Sequence, residues 1–389
     1  MGQGRKEVTA VEERENTYRH LNISRFLIPA VCLTLCAAIL GSLYYLEKVR
    51  PAAETVPNRT QITQEAIVFP EFPETVLLCS DVAKRGYDHE VSVETENQAD
   101  DPYRSLVLEY NIGDRSGTVV LSEHADFSDP ITYALEPYKY VLRIDNLKTG
   151  TRYHYKVTVA DQVETGHFFT EPSTRFVSIP GAYITRDIGG YQTLDGKTVR
   201  QGLLIRGTEI DGLEYEQFAL EEYAVDDVQN TFGFVYDFDL RAAQIYDGEN
   251  YQSPLGADVG HAFYEAPEYE VMFGDWWKEQ VRVIFANLAD PEKYPMYMHC
   301  TWGKDRTGTI VFLLQGVLNM SEEDMLREYY LSGYLYTNMS EQTGIYALMD
   351  GLQPYAGETL QEKIVSYLTE DAGVTEEEIQ SIREIFLAP

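Results

Sequence analysis

Tyr294-Pro-Met-Tyr-Met-His299-Cys300-Thr301-Trp302-Gly303-Lys304-Asp305-Arg306-Thr307-Gly308 is the stretch on which the reading of this 389-residue chain turns. The apolar run Tyr294–His299 predicts a buried strand, and Thr309-Ile-Val-Phe-Leu-Leu opens a helix expected over Thr309–Leu318. Between them lies a short loop in which Gly303 and Gly308 permit a close backbone turn. A loop that closes onto a helix start directs several backbone N–H groups, and the positive end of the helix, at one spot. That spot suits a dianion the size of phosphate.

The strand and helix around the loop belong to a longer pattern. Phe234–Phe238 predicts a second buried strand, and Trp276–Leu288 and Glu322–Ser332 predict helices, with two more helices toward the C-terminus. Ser321-Glu-Glu-Asp324 and Thr375-Glu-Glu-Glu378 each place a hydroxyl residue ahead of acidic residues and an apolar run, which is helix-start chemistry. Strands alternating with helices from Phe176 onward predict an α/β layer fold, a central sheet flanked by helices, over 176–389.

Cys300 and Arg306 bracket the loop, six positions apart. A cysteine at the base of such a ring of donors has its thiolate form favoured, and a thiolate attacks phosphorus directly. The planar fork of Arg306 matches two equatorial oxygens of a transferring phosphoryl group, which a lysine cannot do. The Thr307 hydroxyl is placed to donate to the sulfur as it leaves.

The loop resembles the signature of the cysteine-dependent protein tyrosine phosphatase superfamily: His-Cys, five residues, Arg, then Ser or Thr. Its narrower spelling, Cys-x-x-Gly-Lys-Asp-Arg-Thr-Gly, is similar to that of the bacterial tyrosine/phosphoinositide phosphatases. Three further pieces follow that family in order: Thr185-Arg-Asp-Ile-Gly-Gly-Tyr191, Leu203-Leu-Ile-Arg-Gly207 and Phe238-Asp-Leu-Arg241. The resemblance covers about 176–389. It implies hydrolysis of phosphomonoesters, phosphotyrosine and/or phosphoinositide, through a cysteinyl-phosphate intermediate, with neither metal nor cofactor. By the same resemblance Cys300 is the nucleophile, Arg306 the phosphate clamp and Asp305 the general acid, with Asp239 and Asp258 in reserve. Thr301, Trp302, Gly303, Lys304, Thr307 and Gly308 would surround the phosphate. Lys304 resembles the loop lysine of phosphoinositide phosphatases, with a plain solvated lysine as the alternative. His299, Asp239, Arg241, Arg186 and Asp187 are supporting candidates. Of these, His299 would brace the cysteine's backbone, Asp239 would orient Arg306 or the loop, and Arg186 and Asp187 would pair with each other. Trp302 departs from the family, which has a small residue there, and leaves substrate choice open. The segment Ser253–Met272 reads equally as a lid or as a surface loop. Competing readings are an inositol polyphosphate phosphatase and an inactive phosphate-binding module for adhesion.

Upstream, short alternating runs at Ser105–Tyr110, Thr118–Ser122, Tyr140–Ile144, Tyr153–Val159 and His167–Thr170, with no helical segment between them, predict an antiparallel β-sandwich over 66–172. The run from Leu147 to Val157 resembles the strand-E to strand-F corner of fibronectin type III domains. That likeness makes Tyr153 the residue whose hydroxyl ties back to upstream backbone.

Further out, residues 26–46 form 21 positions without a charge, enough to cross a hydrocarbon core of roughly 30 Å. They are read as an uncleaved transmembrane anchor, flanked by a cytoplasmic tail (1–25) and a stalk (47–65). Arg14, Arg19 and Arg25 precede the span while Lys48 and Arg50 follow it, a slight bias toward an inside N-terminus and an extracytoplasmic catalytic domain. Cys32, Cys36, Cys79 and Cys300 do not make a disulfide framework. The net charge of −32 repels nucleic acid and anionic lipid surfaces, so a phosphate must be captured by a local pocket. The expected partners are therefore a phosphorylated substrate and the membrane through the anchor, with no nucleic acid.

Overall fold

A computed structural model describes residues 105–170, 172–242, 251–334 and 344–388. Among these residues no helix is long and apolar enough to cross a membrane. The tail, the expected span at 26–46, the stalk, the start of the sandwich, and Cys32, Cys36 and Cys79 lie outside them.

Six strands come first: β1 (Ser105–Glu109), β2 (Gly117–Ser122), β3 (Ile131–Leu135), β4 (Val141–Asp145), β5 (Arg152–Val159) and β6 (Gln162–Phe169). They form two antiparallel sheets, β1-β4 and β3-β2-β5-β6. Leu106, Leu108 and Ile144 from the first meet Val119, Leu121, Tyr153 and Val157 from the second in a shared apolar core. Alternation of inward and outward residues along each strand makes that core possible. The Tyr153 hydroxyl accepts from the Lys148 N–H at 2.9 Å, the tie expected at that corner. Strand β3 was not expected from the sequence. It lies at a sheet edge between Pro130 and Pro137, with its first two residues exposed, so it lacks the alternating apolar pattern that marks a strand.

The rest is mixed α/β. Its five-stranded sheet has the order β11 (Gly260–Phe263), β10 (Tyr236–Asp239), β12 (Met296–His299), β9 (Leu204–Gly207), β7 (Arg186–Asp187). The first four are parallel and β7 is antiparallel at the edge. The short strands β8 (Thr198–Val199) and β13 (Leu387–Ala388) pair apart from it. Strand alternation sorts the side chains: Leu204, Phe238, Met296 and Met298 enter the larger core, whereas Ile205 and Tyr297 face a smaller one. The smaller core is closed by α1 (Val225–Phe232). The larger is filled by α2 (Asp275–Leu288), α3 (Asp305–Val317), α4 (Glu322–Tyr330), α5 (Gly344–Leu352), α6 (Leu360–Ser366) and α7 (Glu376–Phe386). Helix α3 is buried at every position from Thr307 to Val317, as a helix apolar on all sides must be.

Ser321 caps α4 by accepting from the Asp324 N–H, and Thr375 with Glu378 forms a reciprocal capping box on α7, each worth about 1 kcal/mol. Helix α3 starts at Asp305, four residues before the position expected from its apolar run. The acid at its first position meets the positive helix end and replaces the apolar start signal. The stretch Ser253–Met272 is neither an open lid nor a bare loop, since it contributes β11 and the buried Tyr269.

Candidate functional site

Parallel pairing on both sides holds β12 at the centre of the sheet, so that Cys300, a free thiol only 2% exposed, sits where the chain leaves the strand's C-terminal end. The chain then turns through Thr301–Lys304 into α3, whose first residue is Asp305. The turn depends on Gly303, which has φ +64, and a Cβ there would stand 2.2 Å from the Gly207 carbonyl oxygen. Any side chain at 303 would push the loop off the end of β9.

No side chain caps the start of α3, so its first-turn N–H groups lack that partner. Two side-chain donors of the loop are likewise buried without a hydrogen-bond partner among the described residues: Nε of Arg306 and the hydroxyl of Thr307. The Thr307 hydroxyl makes no hydrogen bond to the Cys300 sulfur in this structure. An orphaned hydroxyl, an orphaned guanidinium nitrogen and an uncapped helix start within one loop form a donor set suited to a tetrahedral anion. Arg306 also donates to the Thr301 hydroxyl at 3.1 Å and has Nε 3.8 Å from Glu268.

A buried ionic network holds the loop from beneath. Arg206 donates to the Gly303 carbonyl at 2.6 Å and to one oxygen of Glu328 at 2.7 Å. The other oxygen of Glu328 takes Arg186 Nε at 2.7 Å, and Arg186 also reaches the Glu328 carbonyl and the Ser332 hydroxyl. Burial and then the neighbouring Arg186 charge pull Arg206 down to about 10, while Glu328 and Cys300 oppose the shift; it stays charged at neutral pH. Arg186 and Asp187 therefore do not pair with each other. Successive strand residues point to opposite faces, and Asp187 instead meets Arg175 at 2.9 Å while accepting from the Gly189 and Gly202 N–H groups.

His299 is fully buried. Its Nε2 lies 2.9 Å from Asp237 and 3.9 Å from Asp239, and its Nδ1 is 3.3 Å from the Cys300 carbonyl oxygen. Burial alone would lower its pKa, but Asp239 and Asp237 outweigh it and push the imidazole up to about 9. Asp239 binds the backbone N–H and the guanidinium of Arg241, which Asp211 and Glu209 also grip. Arg306 is met by Thr301 and Glu268, whereas Asp239, expected to orient Arg306 or the loop, pairs with Arg241 and lies 3.9 Å from His299 at the head of the loop. Burial raises Glu209 to about 7, and its N–H donates to the Thr301 carbonyl.

Asp305 accepts from the Tyr269 hydroxyl and has Lys304 Nζ 3.4 Å from the same oxygen. Lys304 is 4% exposed, which rules out the solvated-lysine reading. Asp258, the reserve acid, is exposed on the turn before β11. Trp302 is flanked by Tyr215 (ring centroids 4.5 Å) and Phe218 (5.0 Å), and Glu214 accepts from the Thr301 hydroxyl. Sequence reasoning placed Arg206 in a motif without giving it a role, placed Tyr269 only among the aromatics of the stretch Ser253–Met272, and missed Glu328, Tyr329, Glu214 and Glu268. No local pattern marks these residues, because the fold alone brings them to the loop.

Among protein families, a model described as the tyrosine phosphatase family matches residues 177–388. No curated protein matches the chain.

Proposed function

The chain belongs to the tyrosine phosphatase family, and its catalytic part is a phosphatase, a hydrolase of phosphorylated substrates; from that premise we propose that Cys300 is the nucleophile of a metal-independent, two-step hydrolysis. The reading is supported by a buried free thiol at the head of a loop that closes onto the start of α3 and carries two buried donors, Arg306 Nε and the Thr307 hydroxyl, without a hydrogen-bond partner among the described residues. The sulfur attacks phosphorus while Arg306 and the loop amides hold the equatorial oxygens, and Asp305 gives its proton to the departing oxygen. Water then attacks the cysteinyl phosphate and the thiolate leaves.

For the substrate, we infer an aryl phosphomonoester such as phosphotyrosine. Trp302, Tyr215 and Phe218 provide an aromatic wall beside the loop, while Glu214 and Glu268 place acid at Thr301 and Arg306. Acidic neighbours disfavour the additional phosphates of a phosphoinositide or inositol polyphosphate. Lys304, the residue behind the phosphoinositide reading, is buried against Asp305.

The sandwich is proposed to be a fibronectin type III-like module, supported by its strand order and by the Tyr153 tie. Residues 26–46 are proposed as a single-pass anchor, with the catalytic domain outside the cytoplasm, on the strength of the uncharged run and the basic residues before it.

Replacing Cys300 by serine tests the chemistry. Turnover should vanish while inorganic phosphate still binds, because the loop amides and Arg306 remain, and chelators should not inhibit the unaltered enzyme. A Cys300→Ser protein that keeps more than a few per cent of activity sinks the mechanism. A panel of phosphotyrosine peptides, phosphoserine peptides, phosphoinositides and inositol phosphates, run on the soluble fragment from residue 65 onward, decides the substrate class.

A further inference from the structure

Tyr269 belongs to no sequence motif, yet it reaches the loop from a separate element. It opens the single turn Tyr269–Phe273 between β11 and α2 with φ 49, a left-handed conformation that a bulky residue rarely adopts. Three contacts hold it there. Its N–H donates to the Thr309 hydroxyl at 2.8 Å. Its ring lies so close to Gly344 that a Cβ on that glycine would stand 2.3 Å away. Its hydroxyl donates to Oδ1 of Asp305 and lies 2.6 Å from the Tyr329 hydroxyl. Since the one phenolic proton of Tyr269 goes to Asp305, Tyr329 supplies the proton between the two tyrosines. Burial, and then the Tyr329 and Asp305 charges, hold Tyr269 well above the usual tyrosine range, so it remains a donor throughout the working pH range. Lys304 approaches the same Oδ1 at 3.4 Å.

We propose that Tyr269, backed by Tyr329, is the positioning residue for Asp305: it fixes Oδ1, so that Oδ2 carries the proton to the leaving oxygen. The inference rests on Asp305 being the general acid. In the first step the S–P bond forms and the ester P–O bond breaks. The proton on Oδ2 passes to the ester oxygen, and the carboxylate left behind is stabilised by the Tyr269 hydroxyl and the Lys304 ammonium. In the second step that carboxylate takes a proton from water as the new P–O bond forms and the S–P bond breaks. Backbone strain at 269 is then the means by which a residue outside the loop aims the loop's acid.

The test compares phenyl phosphate, whose leaving group needs a proton, with p-nitrophenyl phosphate, whose leaving group hardly does. Asp305→Asn should lose roughly a hundredfold or more on phenyl phosphate and far less on the nitrophenyl ester. Tyr269→Phe keeps the ring and its packing; it should lose roughly tenfold on phenyl phosphate, about the worth of one hydrogen bond to a charged group, and under about twofold on the nitrophenyl ester. Tyr329→Phe should show a smaller contrast in the same direction. The double variant Tyr269→Phe/Asp305→Asn should be no slower on phenyl phosphate than Asp305→Asn alone. If Asp305→Asn shows the contrast while both Tyr→Phe variants lose equally on the two esters, the tyrosines only support the fold and the inference falls. Equal losses for Asp305→Asn overturn the acid assignment itself, and the inference with it; Glu268, 3.8 Å from Arg306, becomes the next acid to examine.

Discussion

At the scale of single residues, His299 ties the cysteine to the sheet through a charge that depends on pH. Its folded pKa of about 9 stands above the unfolded value of about 6.5, since Asp239 and Asp237 more than offset burial. A raised histidine contributes its stability fully below the unfolded pKa and loses it as pH climbs through the folded one. The protein should therefore lose stability between about pH 6.5 and 9, by up to about 3 kcal/mol from this group. Denaturant unfolding at the two pH values checks this, with His299→Gln expected to flatten the difference. The residues from His299 to Gly308 were readable before the fold was known because their chemistry lies in one unbroken stretch. The burial of the Thr307 hydroxyl without a hydrogen-bond partner among the described residues was not legible, because it depends on three-dimensional placement. Trp302 stood out as a departure, but its neighbours Tyr215 and Phe218 come from a distant segment.

Among the elements, the contact that keeps the loop in shape lies between β7, β9 and α4. Glu328 on α4 serves Arg206, 122 positions away, and Arg186, 142 positions away. Glu328→Gln leaves two buried guanidiniums sharing a neutral partner and should destabilise the protein by about 3 kcal/mol or more. It should also raise the inhibition constant of inorganic phosphate, because Arg206 tethers the Gly303 carbonyl. Glu323→Gln on the same helix breaks a surface pair with Arg327 and should cost less than about 1 kcal/mol. Thermal melting and phosphate inhibition of the two variants check both statements. Helices and buried strands were legible from periodicity and capping residues. The Arg-Asp motif was legible as a motif, but its partners were not, because adjacent residues on a strand face opposite ways and each finds its ion far along the chain.

For the whole molecule, the sandwich and the phosphatase part meet through reciprocal amide bonds. The Asn146 carbonyl accepts from Arg175; its side chain accepts from the Ser178 N–H at 2.7 Å and donates to the Ser178 carbonyl at 3.3 Å, and Gln201 pairs in the same two-way manner with Thr149. If the proposed anchor and orientation are right, both parts stand outside the cytoplasm, and protease added to intact cells should release them as a folded unit. Protection until the membrane is opened would reverse the orientation. The order of modules was legible from the change in periodicity near Phe176; their junction was not, because it is made by polar side chains on turns. The central claim, a covalent phosphoenzyme on Cys300, is tested most directly by mixing the enzyme with p-nitrophenyl phosphate, quenching in acid within the first turnovers and mapping the adduct by peptide mass. The account predicts one phosphoryl group on the peptide that carries Cys300, and none in Cys300→Ser. Full turnover with no adduct on that peptide would contradict it.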